Sequence, residues 1–277
     1  VIIIKNLKEH KIIVYLIMTF LFTWIFWSIA FTSTSLNGPF RIVGSFMPSI
    51  MSMIFTGYYD GFNGIKKLLK KLTIWKVNPL IYAFIFLYTA MSIYIPSFIC
   101  GIIGVNYKII INNHISIFQL NSPLAILNCF FAVMIFGGPV GEELGWRGFV
   151  LPKLQKKVNP LISSIILGII WTTWHIPMFY FHVPGYDISF ISYLLETIYL
   201  TILFTWLYNN TKGSLLIIIL YHSIDDFVMA ICGNDFMTFN IYTVIWWIIR
   251  LIILLCITFD MIRKPLKQLE YENHIDT

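Results

Sequence analysis

The sequence predicts an all-α fold, a polytopic bundle of about eight transmembrane helices, and three observations carry that reading. Hydrophobic residues make up 58% of the 277 and charged residues only 12%, with a mean hydropathy of +0.80; a water-soluble globule of this size does not reach that balance. Apolar runs recur at the length that crosses ~30 Å of hydrocarbon at ~1.5 Å per residue. Lysine and arginine density alternates from one connection between runs to the next, as the positive-inside rule requires.

The first run, 12–31, follows Lys5, Lys8 and Lys11. It is too long for the apolar region of a signal peptide and no small-residue cleavage site follows it, so it is expected to remain as a span. The second run, 42–59, follows Arg41 and leads into Lys66, Lys67, Lys70, Lys71 and Lys76. Basic and apolar residues alternate through 65–75 as in an amphipathic helix lying on anionic headgroups. The third run, 79–103, is followed by Lys108 alone, and the fourth, 122–140, by Arg147, Lys153, Lys156 and Lys157. Runs at 160–182, 188–208, 214–232 and 239–260 complete the set, with Lys212 after the sixth and Arg263, Lys264 and Lys267 after the eighth. Sixteen basic residues fall on the side of the N-terminus and two opposite, with Arg250 inside the last run. Both termini are therefore expected to be cytoplasmic.

The net charge of +6 is accounted for by these connections, which calls for no nucleic-acid partner; the partner implied is the lipid bilayer. Cys100, Cys129, Cys232 and Cys256 are dispersed in or beside apolar runs without C-x-x-C spacing, and read as small hydrophobes. No soluble domain or internal repeat interrupts the chain. We read 1–277 as one integral-membrane domain: N-terminal spans and the basic interfacial helix (1–121), a catalytic helical core (122–232), and a last span with its tail (233–277).

Polar chemistry concentrates in that core. Glu142 and Glu143 stand in an apolar setting where one ionised side chain costs roughly 2.5–3.5 kcal/mol, so something must compensate them. Arg147 follows Glu143 by four residues, the favourable helical pairing, which assigns Glu143 to a salt bridge. Glu142 points about 100° away on the same helix, free to act as a general base. Upstream, Gly137-Gly138-Pro139 predicts a helix break, and irregular backbone at membrane depth is tolerated beside a buried or watered cavity.

The fourth and fifth runs share a turn at Lys157-Val158-Asn159-Pro160. Counting from Asn159, Glu142 lies 17 residues back, Glu143 16 back and His175 16 forward. In an antiparallel hairpin, equal counts mean equal depth, about 24 Å from the turn. Trp171 and His175 share one face at i,i+4, as do His222 and Asp226 in the seventh run. His10, His114, His182 and His274 fall in termini or connections and are left out of the site.

In order, E-E-x-x-x-R, aromatic-x-x-x-His and His-x-x-x-Asp across 122–232 resemble the signature of the CPBP family, which holds the type II CAAX prenyl endopeptidases and the Abi-type, bacteriocin-processing proteins. The resemblance implies an intramembrane endopeptidase acting on a membrane-associated peptide or protein. Glu142 would activate water, His175 would position or deprotonate it, and His222 with the residue at 226 would stabilise the oxyanion. Glu143 completes the catalytic set, with Arg147 and Trp171 organising it. No cofactor is required by this reading, although Glu142, His175 and His222 could supply three ligands to a divalent metal such as zinc. Two positions depart from the family: Trp171 stands where Phe is frequent, a change expected to alter mainly pocket size, and Asp226 where Asn is usual. An ionised aspartate cannot donate to an oxyanion, so Asp226 would be protonated, bind a metal or orient His222.

H-E-x-x-H, G-x-S-x-G and Gly-x-Gly-Asp are all absent from the sequence, which disfavours zincin, serine and aspartyl intramembrane mechanisms. Two alternatives use the same residues: an ion- or proton-coupled transporter, and a non-catalytic immunity or regulatory protein of the same fold. The Ile-, Lys- and Asn-rich composition suggests a bacterial source, and so a multi-pass protein of the bacterial plasma membrane.

Overall fold

The computed structural model describes residues 11–105, 120–232 and 240–263, and among these all regular structure is helical. We number the helices α1 (Lys11–Thr32), α2 (Asn37–Lys70), α3 (Pro79–Ile102), α4 (Pro123–Phe136), α5 (Pro139–Gly145), α6 (Leu151–Gln155), α7 (Pro160–Trp174), α8 (Ile176–Tyr180), α9 (Phe190–Asn210), α10 (Leu215–Cys232) and α11 (Ile241–Arg263). Among the described residues, seven helical stretches are long and apolar enough to cross a membrane. The other expected crossing corresponds to α10, 18 residues long and carrying Asp225 and Asp226. The protein is thus a polytopic helical bundle. Of the residues set aside as free of the site, His10, His114 and His274, with the side chain of Cys232, lie outside the described residues.

Three helices start by one device. Asn78, Ser122 and Asn159 each accept a hydrogen bond from a backbone N–H in the first turn, and each is followed by proline at the first helical position. The side chain satisfies an orphan donor, and proline's missing N–H costs nothing there. Asn159 fixes the turn between α6 and α7 this way, its Oδ1 accepting from Ile162 N at 2.9 Å. The basic amphipathic segment continues α2 beyond Gly61, where φ of +66° breaks the helix. A left-handed backbone angle is readily available to glycine alone.

Two features of α2 position the site. Pro48 has no N–H to give the carbonyl of Gly44, and Thr23 Oγ1 on α1 donates to that oxygen instead at 3.1 Å. Beyond it, α5 packs onto α2 through glycines. A Cβ at Gly141 would meet Ser45 O at 2.7 Å, and one at Gly145 would meet Pro48 O at 2.6 Å and overlap the Tyr15 hydroxyl. This small-xxx-small face lets two backbones approach closely in lipid, where packing rather than water exclusion drives helix association. Tyr15 donates to Pro48 O at 2.9 Å and Ser49 to Val140 O at 3.1 Å, so the contact is bonded as well as close. The opposite face of α5 is left to Glu142 and Glu143.

A second buried charge cluster lies between α9, α10 and α11. Arg250 donates to both oxygens of Glu196 and lies 3.8 Å from Asp225 Oδ1, with its guanidinium 3.6 Å from the centroid of Trp246. This pairing and cation–π contact explain how an arginine inside the last span is tolerated.

Replacing Gly145 with alanine is predicted to destabilise the α2–α5 contact by about 1–3 kcal/mol, the cost of overpacking a close interface. Thermal unfolding in detergent would show a lowered midpoint; an unchanged midpoint would contradict this packing.

Candidate active site

The break expected at Gly137-Gly138-Pro139 separates α4 from α5, and it shapes the acid that follows. Gly138 has φ of +143° and ψ of −45°, a conformation that only glycine holds without strain. A Cβ there would also collide with Glu142 Oε1. The chain thus turns so tightly that Glu142 folds its carboxylate back over the glycine, with Glu142 N bonded to Gly138 O at 2.9 Å. After α5 the helix widens into a π-helical turn, Trp146–Val150, which carries Arg147. Such turns are rare and concentrate at functional positions.

The two acids have different partners. Glu143 Oε1 accepts from Arg147 Nη1 at 2.8 Å and from His222 Nδ1 at 2.8 Å. Glu143 and Arg147 are fully buried. The guanidinium lies between two rings, 4.5 Å from the centroid of Trp171 and 4.5 Å from that of Phe204, and Nη2 donates to Thr201 Oγ1 at 3.3 Å. Glu142, also buried, accepts at Oε2 from Trp171 Nε1 at 2.6 Å. Trp171 therefore does more than change pocket size. Its indole N–H orients the Glu142 carboxylate, which phenylalanine cannot do.

His175 sits not within a continuous helix but at the junction of α7 and α8. The last turn of α7 tightens, His175 N bonding to Thr172 O at 3.0 Å, and this frees the carbonyl of Trp171. His175 Nδ1 takes up that carbonyl at 2.9 Å. A carbonyl only accepts, so Nδ1 carries the proton and Nε2 of the neutral ring keeps its lone pair. Met178 N turns to His175 O, which leaves Trp174 O to accept from Trp24 Nε1 at 3.0 Å. Helix α1 thus braces the junction.

Around the indole of Trp171 the structure brings together the expected residues. The rings of His175 and His222 lie 6.0 and 5.3 Å from it, Arg147 stacks on it, and Glu142 bonds to it. Asp226 stands at the edge, its side chain 34% exposed, with Oδ2 3.6 Å from His222 Nε2. Sequence reasoning missed Tyr186 and Tyr193, whose rings lie 5.8 and 5.3 Å from His175. Tyrosines are common in apolar chains and nothing in their spacing marks these two.

The three candidate metal ligands are not assembled as a ligand set. Among the described residues no group of three or more His, Cys, Asp or Glu side chains is arranged to hold a metal ion. Glu142 is bonded through Oε2, and His175 and His222 each through Nδ1, so Glu142 Oε1 and the two Nε2 atoms are the positions these residues would offer to a ligand.

The family model for type II CAAX prenyl endopeptidase Rce1-like proteins matches residues 124–228, the stretch that holds all three motifs. A protein of Methanococcus maripaludis named CAAX prenyl protease 2 is 24% identical over 230 residues, which span 75% of this chain and 80% of that protein.

Arg147→Met is predicted to destabilise the protein by about 3–5 kcal/mol, because it leaves Glu143 buried without its cation. Adding Glu143→Gln should recover part of that loss. Chemical or thermal denaturation of the single and double variants measures it, and a double variant no more stable than the single would contradict the pairing.

Proposed function

The chain is of the CAAX-protease (CPBP) type, and from that premise we propose that it is an intramembrane endopeptidase that hydrolyses a peptide bond with water activated by Glu142. The observation that carries the reading is the unequal bonding of the adjacent acids. Glu143 Oε1 is shared by the Arg147 guanidinium and the His222 imidazole, whereas Glu142 accepts at Oε2 from the neutral indole of Trp171, leaving Oε1 to face a water.

The chemistry follows from those atoms. Glu142 takes a proton from the attacking water while His175 Nε2 accepts the water's second hydrogen bond. The water oxygen bonds to the scissile carbonyl carbon, and the carbonyl π pair moves onto its oxygen as an oxyanion. Collapse of that intermediate breaks the C–N bond, and Glu142 returns its proton to the leaving amine. His222 is held by Glu143 through Nδ1 and turns Nε2 toward Asp226. Asp226 orients that imidazole, the role open to an acceptor. Residues 122–232 make up the catalytic core in this account, with α1 and α2 as its brace.

The substrate is a membrane-associated protein or peptide, with prenylated CAAX-tailed peptides the first class to try, since the Methanococcus maripaludis relative is named for that activity. The composition supports a bacterial plasma membrane as the setting. Neither transport nor a purely regulatory role is favoured by any contact in the site.

Membranes holding the wild-type protein are predicted to contain new protein termini that disappear with Glu142→Ala, read by terminal-peptide proteomics; identical termini in both would contradict the proposal. Asp226→Asn, which preserves a polar partner for His222, should keep most activity. Asp226→Ala should lose roughly tenfold, the equivalent of one ~1.4 kcal/mol hydrogen bond. Full activity in both would remove Asp226 from the site.

A further inference from the structure

Amide hydrolysis needs donors aimed at the developing oxyanion, and around Trp171 most donors are already bonded, while the unpartnered Arg147 Nε is sealed inside the bundle. The Trp171 indole N–H is given to Glu142, His175 Nδ1 to a backbone carbonyl, His222 Nδ1 to Glu143, and Arg147 to Glu143 and Thr201. Asp226, when ionised, only accepts. Besides His222 Nε2, the polar hydrogens over His175 are those of two phenols, Tyr186 and Tyr193, whose hydroxyls interact with one another.

Tyr193 lies in the first turn of α9 and Tyr186 in the connection between α8 and α9. Their rings are 5.5 Å apart, and Tyr193 meets the His175 ring edge to face at 5.3 Å while Tyr186 stacks at 5.8 Å. Phe179 packs against both rings, at 5.3 Å from each, and fixes the pair from behind. Both tyrosines are half-buried, so their position is open on one side. Both hydroxyls lie within electrostatic reach of Glu142 and Asp226, so the pair borders the acids. Burial and the Glu142 charge push the Tyr186 hydroxyl above the usual tyrosine range, so it stays a donor at neutral pH.

We propose that the Tyr193 hydroxyl donates a hydrogen bond to the oxyanion of the tetrahedral intermediate, with Tyr186 as the positioning residue that holds it. The proposal rests on the endopeptidase reading above and adds to it the donor that Asp226 does not supply. As the water oxygen bonds to carbon and the carbonyl pair shifts to oxygen, the phenol shares its proton with that oxygen in a strengthened hydrogen bond and keeps it when the C–N bond breaks. No net proton transfer to the phenol is needed. A neutral phenol is a competent oxyanion donor because its O–H dipole, held in place before the reaction, meets the developing charge without reorganisation.

The test is steady-state cleavage of an internally quenched, isoprenylated CAAX-tailed peptide by the full chain in liposomes. Tyr193→Phe keeps the ring and removes only the hydroxyl, and should lower kcat by about 10²-fold with KM nearly unchanged. Binding of a peptide ketone whose hydrate mimics the tetrahedral intermediate should weaken by the same factor. Tyr186→Phe should lower kcat less, also at constant KM. Wild-type kcat in Tyr193→Phe, or a loss confined to KM, would overturn this inference and leave the endopeptidase reading intact. No cleavage by the wild-type chain would count against that reading itself.

Discussion

The structure depends on the carboxylate of Glu143. It accepts from Arg147 on its own helix and from His222 on α10, so a single buried anion joins two elements that meet only inside the bundle. The guanidinium completes the arrangement by lying between Trp171 of α7 and Phe204 of α9. Charge burial in lipid is tolerated only with such compensation, and breaking one partner leaves the other costly. The ion pair thus sets where four helices stand relative to one another, and it does so at the depth of the reactive groups.

Around that anchor, helix irregularity presents the remaining chemistry. A left-handed glycine folds Glu142 back on the chain, a π-helical turn carries Arg147, and a tightened last turn frees the carbonyl that fixes the His175 ring. Each departure from ideal geometry releases a backbone group or redirects a side chain. The Trp171 carbonyl, the Glu142 carboxylate and the Arg147 guanidinium then each find a bonding partner within the bundle. The glycine face of α5 against α2 supplies the rigidity that these departures spend.

Much of this was legible in the sequence because it depends on one-dimensional spacing. Run length located the spans, Gly137-Gly138-Pro139 marked the break, and the i,i+4 interval paired Glu143 with Arg147. Counting from Asn159 put Glu142 and His175 at one depth, and both contact Trp171. What spacing could not supply is lateral packing between helices far apart in sequence. The indole bond to Glu142, the bond from His222 to Glu143 and the tyrosines over His175 depend on which helix faces which. Glu196 and Arg250 illustrate the limit: each is conspicuous alone as a charge inside a span, yet only the fold brings α9 and α11 together.

The account's central claim is that two adjacent glutamates do different work, Glu143 holding the bundle and Glu142 acting on water. The most direct measurement is a paired one, thermal stability and peptide cleavage for Glu142→Gln and Glu143→Gln in the same liposomes. The account predicts that Glu142→Gln abolishes cleavage while unfolding near the wild-type temperature, and that Glu143→Gln loses stability together with activity. Equal stability losses in both variants, or cleavage surviving in Glu142→Gln, would contradict it.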